Sequence, residues 1–268
     1  MEVLMGFFLL LLAPLAFLAA GSAQAGLHTE VVEYRQGETT LEGYLAYEDS
    51  TQIRRPGIIV IHDWMGPNPY VHRRAEQLAS LGYIAFAIDM YGQGVRPKDS
   101  KEAAALAGIY RADRQLMRAR ANAGLEVLIR HRLTDGRRIA AIGYCFGGGT
   151  ALELARAGAE VAGVVSFHGN LDTPNPADAK NIKGKVLVLH GADDPFVPPQ
   201  QVSAFQEEMR QAKVDWQMVI YGGAVHAFTN PGAGEDPTKG VAYNERADRR
   251  SWEAMKLFFS EIFREKSP

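Results

Sequence analysis

The sequence predicts an α/β fold in which a mostly parallel sheet carries helices on both of its faces. Short apolar runs such as Gly57–Asp63 (GIIVIHD) and Tyr83–Asp89 (YIAFAID) are bounded by turn residues, which is typical of strands buried on both faces. Segments with a helical pattern alternate with these runs along the chain. A strand–helix succession of this kind produces a parallel sheet, and such a sheet binds its ligands at the carboxyl ends of its strands.

Composition limits the function classes. The 268 residues are 47% hydrophobic and 22% charged, which excludes a disordered chain, a collagen-like fibre and a multi-span membrane protein. The 29 basic and 31 acidic residues give a net charge of −2, so no nucleic-acid partner is expected. One cysteine excludes an intrachain disulfide and a zinc site built from several thiolates.

The predicted domain begins with a pair of strands. Val31–Tyr34 and Thr40–Tyr47 are predicted to form an antiparallel pair around the Gln36-Gly37 turn. Further strands are expected at Gly57–Asp63, Tyr83–Asp89, Arg138–Tyr144, Val161–Phe167, Lys185–His190 and Trp216–Tyr221. Helices are expected at Tyr70–Ser80, Ser100–Ile109, Asp113–His131, Gly147–Ala157, Pro199–Gln211 and Val241–Arg264. Asp172–Ala177 and Asn230–Lys239 have the composition of surface loops.

The first 25 residues have the pattern of a secretory signal peptide. Leu4–Ala20 is almost wholly apolar, and Ala23-Gln24-Ala25 offers a cleavage site of small residues. The prediction is a secreted or periplasmic protein without stable membrane association, in which residues 26–268 form one α/β domain. The stretch before the apolar run carries Glu2 and no basic residue, so an uncleaved N-terminal segment that tethers the protein to a membrane is the alternative.

The segment Gly143-Tyr144-Cys145-Phe146-Gly147 has the G-x-nucleophile-x-G form of a nucleophile elbow, between a predicted strand and a predicted helix. The turn is tight, so positions beside the nucleophile must lack bulk. A helix that begins next to Cys145 directs its positive dipole end at the sulfur, which favours the thiolate. The alternative is an inert, buried cysteine, and the flanking glycines argue against it.

An acid and a histidine follow two later strands. Asp193 and Asp194 come after Lys185–His190, and His226 lies in the glycine-rich segment after Trp216–Tyr221. The order Cys145, Asp194, His226 is that of nucleophile, acid and histidine in α/β-hydrolases. The alternatives are that the aspartates cap the helix near Pro198 or Pro199 and that His226 is a surface histidine.

No metal or other cofactor is expected. His62 and Asp63 are adjacent, but no third ligand stands at a helpful spacing. His168 and His190, at the ends of buried strands, are expected to be core histidines with satisfied hydrogen bonds.

The motifs VIHDWMGPN, AIDMYG, GYCFGG, HGADDPFVP and GAVHAF together resemble the dienelactone hydrolase family across essentially all of residues 26–268. The resemblance implies an α/β-hydrolase fold and a carboxylic ester hydrolase acting on small esters or lactones through a thioester. It implies Cys145 as nucleophile, Asp194 as orienting acid and His226 as base. The backbone N–H groups of Trp64 and Phe146 would form the oxyanion hole.

The family pattern also implies candidate pocket residues. Asp63 stands where the family's chlorocatechol-pathway members carry an acid, usually Glu, that contacts the resting thiol. Gln93 and Asn230 stand where they carry two arginines for a substrate carboxylate, and Arg96 is a candidate substitute for the first. These departures indicate a small ester or lactone other than dienelactone itself. Large side chains that would line the pocket or belong to the core are Trp64, Met65, Tyr91, Phe146, Phe228 and Trp252.

Two rival functions remain at this stage. One is a non-catalytic binding module that retains the hydrolase fold, and the other is a thioesterase or peptidase of the same fold. No oligomeric state is predicted.

Overall fold

The computed structural model describes residues 26–264, which contain one eight-stranded sheet. The predicted signal peptide, residues 1–25, lies outside the described residues. Within the described range, no helix combines the length and the apolar character that crossing a membrane requires.

The strands are bounded as follows: β1 Leu27–Gln36, β2 Thr39–Glu48, β3 Arg55–Ile61, β4 Ile84–Ile88, β5 Thr134–Tyr144, β6 Gly163–Phe167, β7 Lys185–Gly191 and β8 Trp216–Tyr221. Their order across the sheet is β1-β2-β4-β3-β5-β6-β7-β8. Strands β3 to β8 pair in parallel, whereas β1 pairs antiparallel with β2, and β2 with β4. The predicted α/β class and mostly parallel sheet are confirmed.

The helices are α1 Pro69–Ser80, α2 Ser100–Ala112, α3 Arg114–Arg130, α4 Phe146–Arg156, α5 Pro199–Ala212 and α6 Glu245–Ile262. Short 3₁₀ turns lie at Pro176–Asn181, Pro231–Ala233 and Pro237–Lys239, in and beside the two predicted loops.

Two apolar clusters cover the two faces of the sheet. Along β3, Ile59 and Ile61 belong to one cluster, while Ile58 and Val60 belong to the other. All four are fully buried, which is why the run carries no polar residue. The sheet is therefore packed on both faces, and the loops of the site start from its carboxyl edge.

The predicted start of the last helix is wrong by four residues. Residues 241–244 are not helical; Val241 instead forms a β-bridge with His226. Helix α6 begins after Asn244, whose side chain accepts a hydrogen bond from the Ala247 N–H. The segment before the helix thus supports the loop that carries His226.

Candidate active site

Cys145 lies in the turn between β5 and α4, in a left-handed backbone conformation with φ of 55°. A Cβ atom on Gly143 would lie 1.9 Å from the Gly147 carbonyl oxygen, and one on Gly147 would lie 2.2 Å from the Ile61 carbonyl oxygen. Both contacts are with backbone that cannot move aside, so the turn requires glycine at both positions.

The structure brings Cys145, His226 and Asp194 together. His226 Nε2 lies 3.0 Å from Cys145 Sγ, and His226 Nδ1 lies 2.8 Å from Asp194 Oδ2. Cys145 is 9% exposed, and the other two are also buried. A thiol, an imidazole and a carboxylate are thus aligned within hydrogen-bond distance at the carboxyl edge of the sheet.

The charge of His226 depends on its two neighbours. Burial by itself lowers the pKa of His226, but the sulfur of Cys145 and the carboxylate of Asp194 outweigh that effect and raise it to about 10. The imidazole is therefore protonated at neutral pH. The site thus holds a buried positive charge between the Cys145 sulfur and the Asp194 carboxylate.

Asp194 and Asp193 have separate contacts, and neither caps the next helix. The Phe196 N–H donates to Asp194 Oδ1 at 2.9 Å, which leaves Oδ2 for His226. The Gly223 N–H donates to Asp193 Oδ2 at 3.1 Å and links the two loops. The residue before α5 is Pro198, and no side chain caps that helix. The helix-cap alternative is therefore wrong.

Backbone hydrogen bonds hold the loop of His226 from the other side. The His226 N–H donates to the Gly240 carbonyl at 3.2 Å, and the Ala242 N–H donates to the His226 carbonyl at 3.1 Å. The backbone N–H and carbonyl of His226 are thus both hydrogen-bonded to residues 240–242, and these bonds position the imidazole.

The two predicted oxyanion donors lie at the same edge. Phe146 is the first residue of α4, so its N–H lacks an acceptor within the helix. Trp64 follows β3, and the Tyr91 hydroxyl donates to its carbonyl at 2.8 Å. Burial raises the pKa of Tyr91 far above its usual value, so the phenol remains a donor.

A cavity of about 440 Å³ opens onto Cys145. Aromatic and aliphatic side chains make up about half of its wall, and the other residues are polar or titratable. The lining residues are Asp63, Trp64, Met65, Tyr70, Arg111, Tyr144, Cys145, His168, Asn170, Phe196, His226, Ala227, Asn230, Ala233 and Val241. This volume suits a small organic molecule.

Asp63 lies in the cavity, as expected. Its Oδ1 accepts a hydrogen bond from the Met65 N–H at 2.8 Å, and burial raises its pKa. The contact between this carboxyl group and the resting thiol stays a prediction.

Of the other predicted pocket residues, Trp64, Met65 and Asn230 line the cavity. Gln93 is exposed and its amide donates to Glu33, while Arg96 donates to the Val95 carbonyl outside the cavity. Phe228 is fully buried in the cluster that contains α6, and Tyr91 lies behind Trp64. The assignments of Gln93, Arg96, Phe228 and Tyr91 to the cavity wall are corrected, because sequence position does not determine which way a side chain points.

Sequence reasoning missed Arg111 and Asn170. The Arg111 Nη2 donates to Asn170 Oδ1 at 3.1 Å, and both line the cavity. Arg111 belongs to α2, far from any strand end, so the rule that locates sites after strands could not find it. Asn170 follows β6, so the same rule could have located it.

His168 was expected to be a satisfied core histidine, and the structure corrects this. It is buried and lines the cavity; its Nε2 lies 2.7 Å from Thr229 Oγ1, and its Nδ1 has no partner among the described residues. His190 is likewise buried with an unpartnered Nδ1.

Within residues 26–264, no group of three or more His, Cys, Asp or Glu side chains is arranged to hold a metal ion. His62 instead uses both ring nitrogens on backbone groups, the Asp63 carbonyl and the Met90 N–H.

Comparison with known proteins identifies the family. The sequence model of the dienelactone hydrolase family matches residues 41–263. The chain belongs to the dienelactone hydrolase family. It is therefore a carboxylic ester hydrolase, and the predicted resemblance is confirmed.

Similar proteins agree with this assignment. The structure of a dienelactone hydrolase-like promiscuous phosphotriesterase from metagenomic libraries is 41% identical, with a TM-score of 0.86, over 90% of this chain and 100% of that one. A probable 2-oxo-3-(5-oxofuran-2-ylidene)propanoate lactonase of a Bradyrhizobium species is 28% identical over 72% of this chain and 80% of its own. A candidate carboxymethylenebutenolidase of Saccharolobus solfataricus is 26% identical over 85% of this chain and 97% of its own.

Proposed function

We propose that this hydrolase cleaves small esters or lactones with Cys145 as nucleophile, through a thioester intermediate. The observation that carries the proposal is the alignment of Asp194 Oδ2, both ring nitrogens of His226 and Cys145 Sγ at 2.8 and 3.0 Å. That alignment is the geometry of a nucleophile, a base and an orienting acid.

In the acylation step, the Cys145 thiolate attacks the substrate carbonyl carbon, and the carbonyl electron pair moves to oxygen. The N–H groups of Trp64 and Phe146 hold this oxyanion. The intermediate collapses to a thioester, and protonated His226 gives its proton to the departing alkoxide.

In the deacylation step, neutral His226 takes a proton from water, and the resulting hydroxide attacks the thioester carbonyl. The second intermediate collapses to the carboxylic acid and the thiolate, which restores the imidazolium–thiolate pair. Asp194 holds the ring of His226 in one orientation through both steps.

The test is a chromogenic ester panel of increasing acyl length, run on the wild type and on variants. We expect Cys145→Ala to abolish turnover and Asp194→Asn to lower kcat by roughly 10³- to 10⁴-fold, because the amide no longer stabilises the imidazolium. Asp193→Asn is the matched control, since Asp193 is exposed and contacts Gly223 instead of His226. We expect it to retain wild-type kcat.

Ester turnover by Cys145→Ala at the wild-type rate would end the proposal. If instead no ester is turned over, iodoacetamide alkylation separates the alternatives, because an activated thiol reacts quickly near neutral pH and an inert buried one does not. A slow thiol would favour the non-catalytic binding module.

The 41% sequence identity to the promiscuous phosphotriesterase favours a phosphotriester as a second substrate class. We propose including one in the same panel. Turnover that disappears in Cys145→Ala would support the second activity, and turnover that persists would contradict a shared nucleophile.

We also propose export of the chain with loss of residues 1–25. The intact mass of the exported protein tests this directly, because the uncleaved form retains the N-terminal segment.

A further inference from the structure

The protonation of His62 follows from its two hydrogen bonds. The Met90 backbone N–H lies 3.1 Å from His62 Nε2, and a backbone N–H can only donate, so Nε2 is the acceptor. The single N–H of the neutral ring is therefore on Nδ1, which donates to the Asp63 carbonyl oxygen at 2.5 Å. The ring is fully buried, and burial lowers the pKa of His62 to about 4, so it is neutral in the working range.

The acceptor of this hydrogen bond belongs to the peptide that carries the Trp64 N–H. A peptide is planar and trans, so fixing the direction of its carbonyl also fixes the direction of its N–H. The Gly66 N–H donates to the same oxygen at 3.2 Å. The Tyr91 hydroxyl holds the next peptide through the Trp64 carbonyl, at 2.8 Å. Both peptides that flank Trp64 are therefore restrained from the interior.

The ring of His62 also lies against the side chain of Phe146, the residue that carries the second oxyanion donor. The two rings are stacked at a centroid distance of 6.1 Å and an interplanar angle of 26°, and the Tyr91 ring packs edge-on against His62 at 4.9 Å. One buried side chain thus joins the two loops whose N–H groups face the substrate oxygen in the proposed mechanism.

We propose that His62 is a positioning residue of the oxyanion hole, which aims and polarises the Trp64 N–H through the Asp63 carbonyl. This rests on the proposed function, in which Trp64 and Phe146 hold the oxyanion. A hydrogen bond accepted by a peptide carbonyl strengthens the donor at the other end of the same peptide. His62 touches no substrate atom and acts only through this peptide.

Two substitutions separate this role from simple space filling. His62→Asn can place an amide N–H where Nδ1 stands, which retains donation to Asp63 but loses the acceptor for Met90. His62→Gln can place an amide oxygen where Nε2 stands, which retains the acceptor but loses the donor. Both lose the ring, so a purely structural role predicts similar damage from each.

The measurement is the acylation rate with p-nitrophenyl acetate in the burst phase, together with steady-state kcat and KM. Because loss of an oxyanion donor costs about 10²–10³ in kcat, we expect a misaimed donor in His62→Gln to slow acylation by roughly 10- to 100-fold, with little change in KM. We expect His62→Asn to recover most of that loss. His72→Gln, a half-buried histidine on α1, is the control and should acylate like the wild type.

Alkylation by iodoacetamide is the second readout, because displacement at carbon needs no oxyanion hole. We expect both His62 variants to alkylate within about twofold of the wild type, since the thiolate and His226 are untouched. The pH dependence of acylation should also be unchanged, because His62 is neutral in the wild type and its replacement by Asn or Gln removes no charge.

Wild-type acylation by His62→Gln would overturn the inference. So would His62→Asn acylating as slowly as His62→Gln, or losing alkylation, because either result indicates a general structural role. Cys145→Ala in the same assay tests the proposed function separately: if it still turns over ester, the mechanism itself is wrong and the inference falls with it.

Discussion

The charge of the site depends on the protonation of His226. Its ring is buried, which disfavours the cation, yet it lies between the Cys145 sulfur and the Asp194 carboxylate, which both favour it. The balance shows that the histidine is not a free base with an ordinary pKa. It is a buried ring between a sulfur and a carboxylate that both raise its pKa.

We expect His226 to remain protonated as the pH rises past 6.5 and to lose its proton only near pH 10. In Cys145→Ala the sulfur that raises the pKa of His226 is gone while burial still opposes the cation, so this pKa should move down. An NMR titration of the ring in both proteins measures this. Deprotonation near pH 6.5 in the wild type, or identical titrations, would contradict this account of His226.

At the scale of elements, the elbow between β5 and α4 determines whether Cys145 can face the cavity at all. The turn passes so close to the end of β3 that Gly147 has no room for a methyl group. Helix α4 begins at the next residue after Cys145. Close approach of backbone therefore fixes the position of Cys145 at the start of this helix.

We expect Gly147→Ala to lower the free energy of unfolding by about 1–3 kcal/mol or more and to remove activity, because the new Cβ would meet the Ile61 carbonyl. Gly108→Ala is the matched control: Gly108 lies within α2, and its Cβ would meet nothing within 4 Å. It should stabilise the protein by about 0.5–1 kcal/mol. Urea unfolding of both variants gives the comparison, and equal stabilities would refute this account of the elbow.

At the scale of the whole molecule, the net charge of −2 gives no long-range attraction for anionic substrates. An anionic substrate therefore needs a cation in the site itself. Arg111 reaches the cavity wall because α2 packs beside the loop after β6, where Asn170 accepts its hydrogen bond. It is the one lysine or arginine among the residues that line this cavity.

We expect Arg111→Gln to lower the preference for esters bearing a carboxylate over neutral esters by roughly tenfold, the loss of about one charge-assisted hydrogen bond. The ratio of the two kcat/KM values is the measurement. Arg130→Gln changes the net charge equally on an exposed part of α3 and should leave the ratio unchanged. Equal ratios in all three proteins would exclude Arg111 from substrate selection.

The sequence by itself determined the α/β class and the parallel strands. It also pointed to Cys145, Asp194 and His226, the three side chains that the structure brings together. These follow from local patterns: apolar runs of strand length, glycines around a tight turn, and polar residues directly after strands. Because the carboxyl ends of parallel strands share one edge, chain order was enough to bring the three together. Asp194 was separable from Asp193 only through a motif resemblance, and its burial now distinguishes the two.

Only the tertiary structure decided which residues line the cavity and which support it. Gln93, Arg96 and Phe228 point elsewhere, whereas Arg111 reaches the cavity from helix α2 and His62 contacts the Asp63 carbonyl from the interior. Side-chain direction and contacts between distant segments depend on packing of the whole chain, which no short stretch of sequence encodes.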